Sequence, residues 1–104
     1  MQFRNLKFRP HRYDKKSISA KIELEPNVFL SVVAGPGMYS LPGGSADREK
    51  FDDYPDSNDF TSFETAIIDE NKNDDFQEFK VVGWQTRQDI NKIIREYGKT
   101  KVTG

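Results

Sequence analysis

The sequence predicts an α+β fold: a mainly antiparallel sheet of four strands, or five if a short N-terminal strand in QFRNLKFR joins, with one C-terminal helix packed on it. Three observations carry this. Ile18, Ala20, Ile22 and Leu24 alternate with Ser19, Lys21, Glu23 and Glu25, the period-2 signature of a strand with one buried face. A second apolar run, VFLSVVAG, follows the turn pair Pro26-Asn27, so the two runs make a hairpin. The unbroken apolar character of that second run predicts a central strand covered on both faces. Near the end, Ile90, Ile93, Ile94 and Tyr97 recur at i, i+3, i+4 and i+7, the apolar stripe of a helix.

The remaining elements follow in chain order. TSFETAIID reads as a third strand with Phe63, Thr65 and Ile67 on one face, ENKNDD as a polar turn, and FQEFKVVGW as a fourth strand. Thr86 is the expected helix N-cap, with Asp89 three residues on, close to a capping box and suited to the helix dipole. Arg95 lies in the last turn and Gly98 stands where a C′ glycine ends a helix. Residues 1–98 are therefore expected to form one domain, and 99–104 a flexible tail. Between Gly35 and Phe60 nothing is periodic. Loops of that length are commonly functional or lack fixed structure, and this one turns from glycine-rich to acidic.

With 104 residues, 35% of them hydrophobic and 32% charged, the chain has a thin core and a heavily solvated surface. Eight Phe, four Tyr and one Trp carry much of the burial. The lack of cysteine excludes a disulfide framework, a zinc–thiolate site and a cysteine nucleophile, and fits a reducing compartment. The stretch MQFRNLKFRPHRYDKK has no apolar signal-peptide core, and no apolar run reaches bilayer length. The expectation is a cytoplasmic protein with no membrane partner.

Net charge is −1, but its distribution is uneven. Residues 1–21 hold seven Lys/Arg against one Asp, and residues 46–78 hold twelve Asp/Glu against three Lys/Arg. From residue 79 onward the chain is basic again. Such blocks are either solvated faces that neutralise one another in the fold or a dipolar surface that steers a charged partner.

The glycine cluster, GPG at 35–37 and GGSA at 43–46, has amides that an anion would accept. It lacks the GxxxxGK[ST] spacing, and no apolar-periodic helix follows Gly44, which excludes a nucleotide-hydrolysing P-loop. Flexible turns and the rim of a ligand site both remain open. In DREKFDDYPDSND no frame gives the glycine that an EF-hand loop needs, so that calcium site is excluded.

Arg4, Lys7, Arg9, His11, Arg12, Lys15 and Lys16 are interleaved with Phe3, Phe8 and Tyr13. Base stacking with phosphate contact requires this combination, and a charged edge strand looks the same. The acidic middle third repels a polyanion, so a small anion touching only the basic face fits better than long nucleic acid. His11 is the only histidine, with no triad or metal constellation around it, and no carboxylate pair is marked by its spacing for acid–base work. The protein is expected not to be an enzyme, with no cofactor and no metal.

Several short motifs also form an ordered series: FRPH at 8–11, LSVVAG at 30–35 with YS at 39–40, FETAII at 63–68, VVGW at 81–84 and DINKIIREYG at 89–98. Over residues 8–98 this series resembles a group of small phage-encoded accessory proteins. The recurring positions fall on Pro10, His11, Ser31, Val32, Val33, Gly35, Tyr39, Glu64, Ala66 and Gly83. The chain departs from the group in its long acidic stretch 43–60. The resemblance implies host interference, by binding and neutralising a host enzyme or a host-made signal.

Three functional readings follow. In the first, Arg9, His11 and Arg12 hold the phosphate of a small anionic, nucleotide-derived signal. Tyr39 stacks on it, and Ser40 with the amides around Gly43 and Gly44 closes over it. In the second, Asp52, Asp53, Asp56 and Asp59 imitate a polyanion and dock in a basic groove of a host defence protein. The third is a structural accessory module. One helix covers only one side of a strand that is apolar on both, so a homo-oligomer is expected, with the ligand site near the subunit boundary.

Overall fold

A computed structural model describes residues 2–44, 47–70 and 80–103. Five strands form one sheet: β1 (Arg9–His11), β2 (Asp14–Glu25), β3 (Val28–Ala34), β4 (Phe63–Asp69) and β5 (Lys80–Gln85). Each pairs antiparallel with the next, so spatial order equals chain order. A single helix, α1 (Arg87–Thr103), packs on the sheet, which is the α+β arrangement the periodicities predict. Among the described residues no helix is long and apolar enough to cross a membrane.

The β2–β3 hairpin forms as its pattern dictates. Ile18 pairs with Ala34, Ala20 with Val32 and Ile22 with Leu30, so the apolar set of each strand shares one face. Asn27 supplies the left-handed residue of the turn, at φ 65°. Phe63, Thr65 and Ile67 of β4 continue the same face, since Val32 pairs with Thr65 and Leu30 with Ile67. The polar turn ENKNDD and the first part of FQEFKVVGW lie, apart from Glu70, outside the described residues; the strand itself is seen from Lys80.

Three expectations are corrected. β3 is central but covered on one face only: Val28, Leu30, Val32 and Ala34 are buried, whereas Phe29, Ser31 and Val33 are half-buried. Helix α1, the N-terminal turn and the long loop all contribute to the same core, so among the described residues the other face is the more open one. The fifth strand is present, but of the segment QFRNLKFR only Arg9 belongs to it. The Phe3–Asn5 part of the segment is a 3-10 turn that buries Phe3 and Leu6 in the core, and the edge strand starts only at Arg9. Pro10, which has no N–H to give, sits in that edge strand.

The third correction concerns Gly98, which does not end the helix; α1 runs through it to Thr103. A glycine costs a helix interior about 1 kcal/mol, which does not by itself terminate one. The helix start does follow the sequence. The Asp89 N–H donates to Thr86 Oγ1 at 3.1 Å, and the Thr86 N–H donates to Asp89 Oδ2 at 2.9 Å, a complete capping box. Bonds to the carboxyl from Thr86, its backbone N–H first and then its hydroxyl, hold Asp89 below its usual range.

The long loop is part of the core. Phe51 and Phe60 are buried, and Phe60 touches Phe63 with ring centres 6.3 Å apart. Phe3 and Phe8 extend this aromatic chain from the other side of Phe63. The Arg87 guanidinium lies over the rings of Phe3 and Phe63 at 5.1 and 5.2 Å, and its Nη2 donates to the Ser57 carbonyl at 2.7 Å. The first residue of the helix thus joins the N-terminal turn, β4 and the loop.

Candidate functional site

The open face of the sheet carries the candidate site. Arg9 pairs with Ser19 and Pro10 with Ile18, so alternation turns Pro10 toward the core side and Arg9 toward the open side. Below Arg9 the chain leaves the sheet for the 3-10 turn. A groove of about 620 Å³ opens there, walled by Asn5, Lys7, Arg9 and His11 and floored by Ser19, Ala20, Lys21, Ile22, Ser31 and Val33. Its volume falls in the range of small-molecule sites. Lys7 and Arg9 are exposed, and among the described residues neither forms an ion pair.

Lys21 and His11, the other two titratable side chains lining the groove, are only lightly engaged. Lys21 Nζ lies 3.9 Å from Glu70 Oε1 and 4.4 Å above the Phe29 ring centre. His11 Nδ1 accepts the Tyr13 N–H at 3.2 Å, which in the neutral imidazole leaves the proton on Nε2 as a donor. Lys7 and Lys21 are absent from the residue set drawn from the sequence. Their signal was alternation: 7, 9 and 11 share one face of an extended chain, as do Ser19 and Lys21.

The rest of the expected set lies elsewhere. Arg12 is in the β1–β2 turn with its guanidinium 5.4 Å from the Tyr13 ring centre, outside the groove lining. Tyr39 stands near β5, its ring 5.1 Å from that of Trp84. The Ser40 side chain is 1% exposed and closes a turn, accepting the Gly35 N–H at 3.1 Å and donating to the Pro42 carbonyl at 2.9 Å. The Leu41–Pro42 peptide in this turn is cis.

The glycine-rich stretch is therefore a self-closed turn. A Cβ on Gly43 would lie 2.6 Å from the Ser40 carbonyl oxygen and 2.8 Å from that of Met38. Gly44, at φ 58°, donates its N–H to the Met38 carbonyl at 2.7 Å, so this amide is already engaged. The glycine-rich turn and the Arg9–His11 groove are separate features of the fold, not one composite site.

The acidic loop is tied to the start of β2 by ion pairs of both senses. Arg48 grips Asp14, and the bonds from Arg48, aided by those from the Lys16 N–H and the Ser17 hydroxyl, hold the Asp14 carboxyl well below the usual range. Asp53 lies 3.2 Å from Lys15 Nζ and 3.4 Å from Lys16 Nζ, and Lys15 first, then Lys16, lowers its carboxyl too. Asp56 and Asp59 cap the 3-10 turn Ser57–Asp59 reciprocally. Asp52 remains exposed. Of the charges that look like a dipole along the sequence, Asp53 pairs with Lys15 and Lys16 and Glu70 with Lys21, while Lys7 and Arg9, like Arg4 and Arg12, form no ion pair among the described residues.

Among the described residues no group of three or more His, Asp or Glu side chains is gathered as a metal site would need. Comparison with protein-family models, with curated proteins and with solved structures finds no match to this chain.

Proposed function

We propose that this chain is a non-enzymatic binding protein that sequesters a small anionic ligand of nucleotide type, held in the groove at Lys7, Arg9, His11 and Lys21. One observation carries the reading. The acidic loop pairs with Lys15, Lys16 and, through Arg48, the start of β2, yet among the described residues Lys7 and Arg9 have no counter-charge beside a 620 Å³ groove. Unpaired cations converging on a concave site recognise phosphate. The resemblance to phage accessory proteins adds the biological sense: removal of a host-made signal in the infected cell.

The half-buried Phe29 and Ile68 lie on the same open face. They are the surface on which a second copy packs in this reading, placing the groove near the subunit boundary. Light scattering at high micromolar concentration tests that part independently.

Calorimetric titration with cyclic nucleotides and ADP-ribose tests the main claim. The wild-type chain is expected to bind one of them tighter than roughly 10 μM, about −7 kcal/mol. The double substitution Lys7→Glu, Arg9→Glu is expected to weaken that binding at least tenfold while the melting temperature holds. No binding across the panel, or full affinity in the double variant, overturns the proposal.

A further inference from the structure

A single row of residues across the open face connects the basic groove to an exposed aromatic pair. Arg9 pairs with Ser19, Ser19 with Val33, and Val33 with Glu64. Phe63 pairs with Gln85 and Thr65 with Val82, so β5 carries one residue more than β4 in this interval, and Gly83 and Trp84 together oppose Glu64. The row ends on that bulge. Trp84 holds φ at 52°, a region that bulky side chains rarely adopt.

The bulge presents its side chain to solvent. Trp84 is 55% exposed and Tyr39 54%, with ring centres 5.1 Å apart. Tyr39 is fixed in place: its carbonyl accepts the Trp84 N–H at 2.8 Å, its own N–H lies 3.4 Å from Glu64 Oε1, and it fills the space where Gly83 lacks a Cβ. Packing does not explain two large rings held more than half in water on a strained backbone. Such strain persists where the surroundings over-determine it, commonly at ligand sites.

Arg9 and the bulge are four strand spacings apart, about 19 Å at roughly 4.8 Å each. A mononucleotide phosphate in the groove leaves its base short of Trp84. A linear dinucleotide with its 5′-phosphate in the groove carries its second base one nucleotide further and reaches both. We propose that the ligand is an extended, 5′-phosphorylated 3′–5′ dinucleotide, with its terminal phosphate at Lys7, Arg9 and Lys21 and its second base stacked on Trp84 and Tyr39. This rests on the anion-binding reading above and adds the ligand's length and its second contact. Stacking accepts any base, so the aromatic end sets reach more than base identity.

The chain has one tryptophan, so Trp84 emission reports the contact directly. The experiment titrates AMP and linear 5′-phosphorylated diadenylate in parallel, by calorimetry and by fluorescence. Both are expected to bind, the dinucleotide about tenfold tighter, and only the dinucleotide to quench Trp84. Trp84→Ala is expected to lower dinucleotide affinity about tenfold and leave AMP unchanged, while Trp84→Phe retains tight dinucleotide binding and so guards against simple misfolding. Equal affinities with no quench, or a Trp84→Ala variant that binds the dinucleotide as well as wild type, overturns the inference while the groove stands. Failure of both ligands to bind overturns it together with the reading on which it rests.

Discussion

Asp14 and Arg48 meet as a parallel pair: Nη1 donates to Oδ2 and Nη2 to Oδ1, both at 2.7 Å. Asp14 keeps 16% of its side chain exposed, whereas Arg48 keeps 54%. The pair fastens the acidic loop to the first residue of β2.

That geometry gives a pH dependence. The bonds from Arg48 first, then those from Lys16 and Ser17, depress the Asp14 carboxyl in the folded state. Its contribution is complete above the unfolded value near 4 and is lost as pH falls below it. Thermal melts from pH 7 to pH 2 should show wild-type stability dropping below about pH 4. Asp14→Asn should be less stable at pH 7 by about 1–2 kcal/mol and lose less on acidification. Parallel pH curves for the two proteins would refute the assignment.

Phe60 ties the loop to the core, being 1% exposed. Phe60→Ala should cost about 3–5 kcal/mol in urea unfolding, a large share of the total for a domain of this size. A loss below 1 kcal/mol would mean that the loop detaches without disturbing the sheet.

Gly83→Ala brings a Cβ to 2.5 Å from the Tyr39 Cβ. One of the two must move, and the expected cost is about 1–3 kcal/mol. Because Tyr39 packs on Trp84, the emission spectrum of the folded variant should also change. An unchanged spectrum with unchanged stability would show that Tyr39 does not rest on the glycine in solution.

Asn91 Oδ1 accepts the Phe3 N–H at 2.6 Å, joining the N-terminal turn to α1. Asn91→Ala leaves a part-buried donor without its acceptor, at an expected cost of about 1–2 kcal/mol. Hydrogen exchange at the Phe3 amide should accelerate in the variant. If protection is kept, another acceptor serves that amide.

The fold was legible where a period existed. Ile18 to Leu24, the Pro26-Asn27 turn and the Thr86–Asp89 cap each show their local physics in the sequence, and the structure has them. What escaped depends on contacts distant in the chain. Phe51 and Phe60 sit in an aperiodic loop, and nothing near them announces that they pack beside Phe63. The expected site was legible only in part. Arg9 and His11 share a groove because a strand alternates, but Tyr39, Ser40, Gly43 and Gly44 follow a turn whose internal bonds no spacing rule shows. The bulge at Gly83 and Trp84 is likewise a mismatch of two strands, visible only once they are paired.

The order of the strands has a consequence for how the chain reaches this structure. Each strand pairs with its immediate neighbour in sequence, so the β2–β3 hairpin closes over a turn of only a few residues. Joining β3 to β4 must enclose the long loop, and loop-closure entropy rises with the length enclosed. The Phe3–Asn91 bond spans 88 positions, nearly the whole chain. The nucleus of folding is therefore expected in the β2–β3 hairpin, with the cage of Phe3, Phe63 and Arg87 assembling afterwards. In that order Lys7 and Arg9 of the groove acquire their positions last, because they lie between the hairpin and the final clasp.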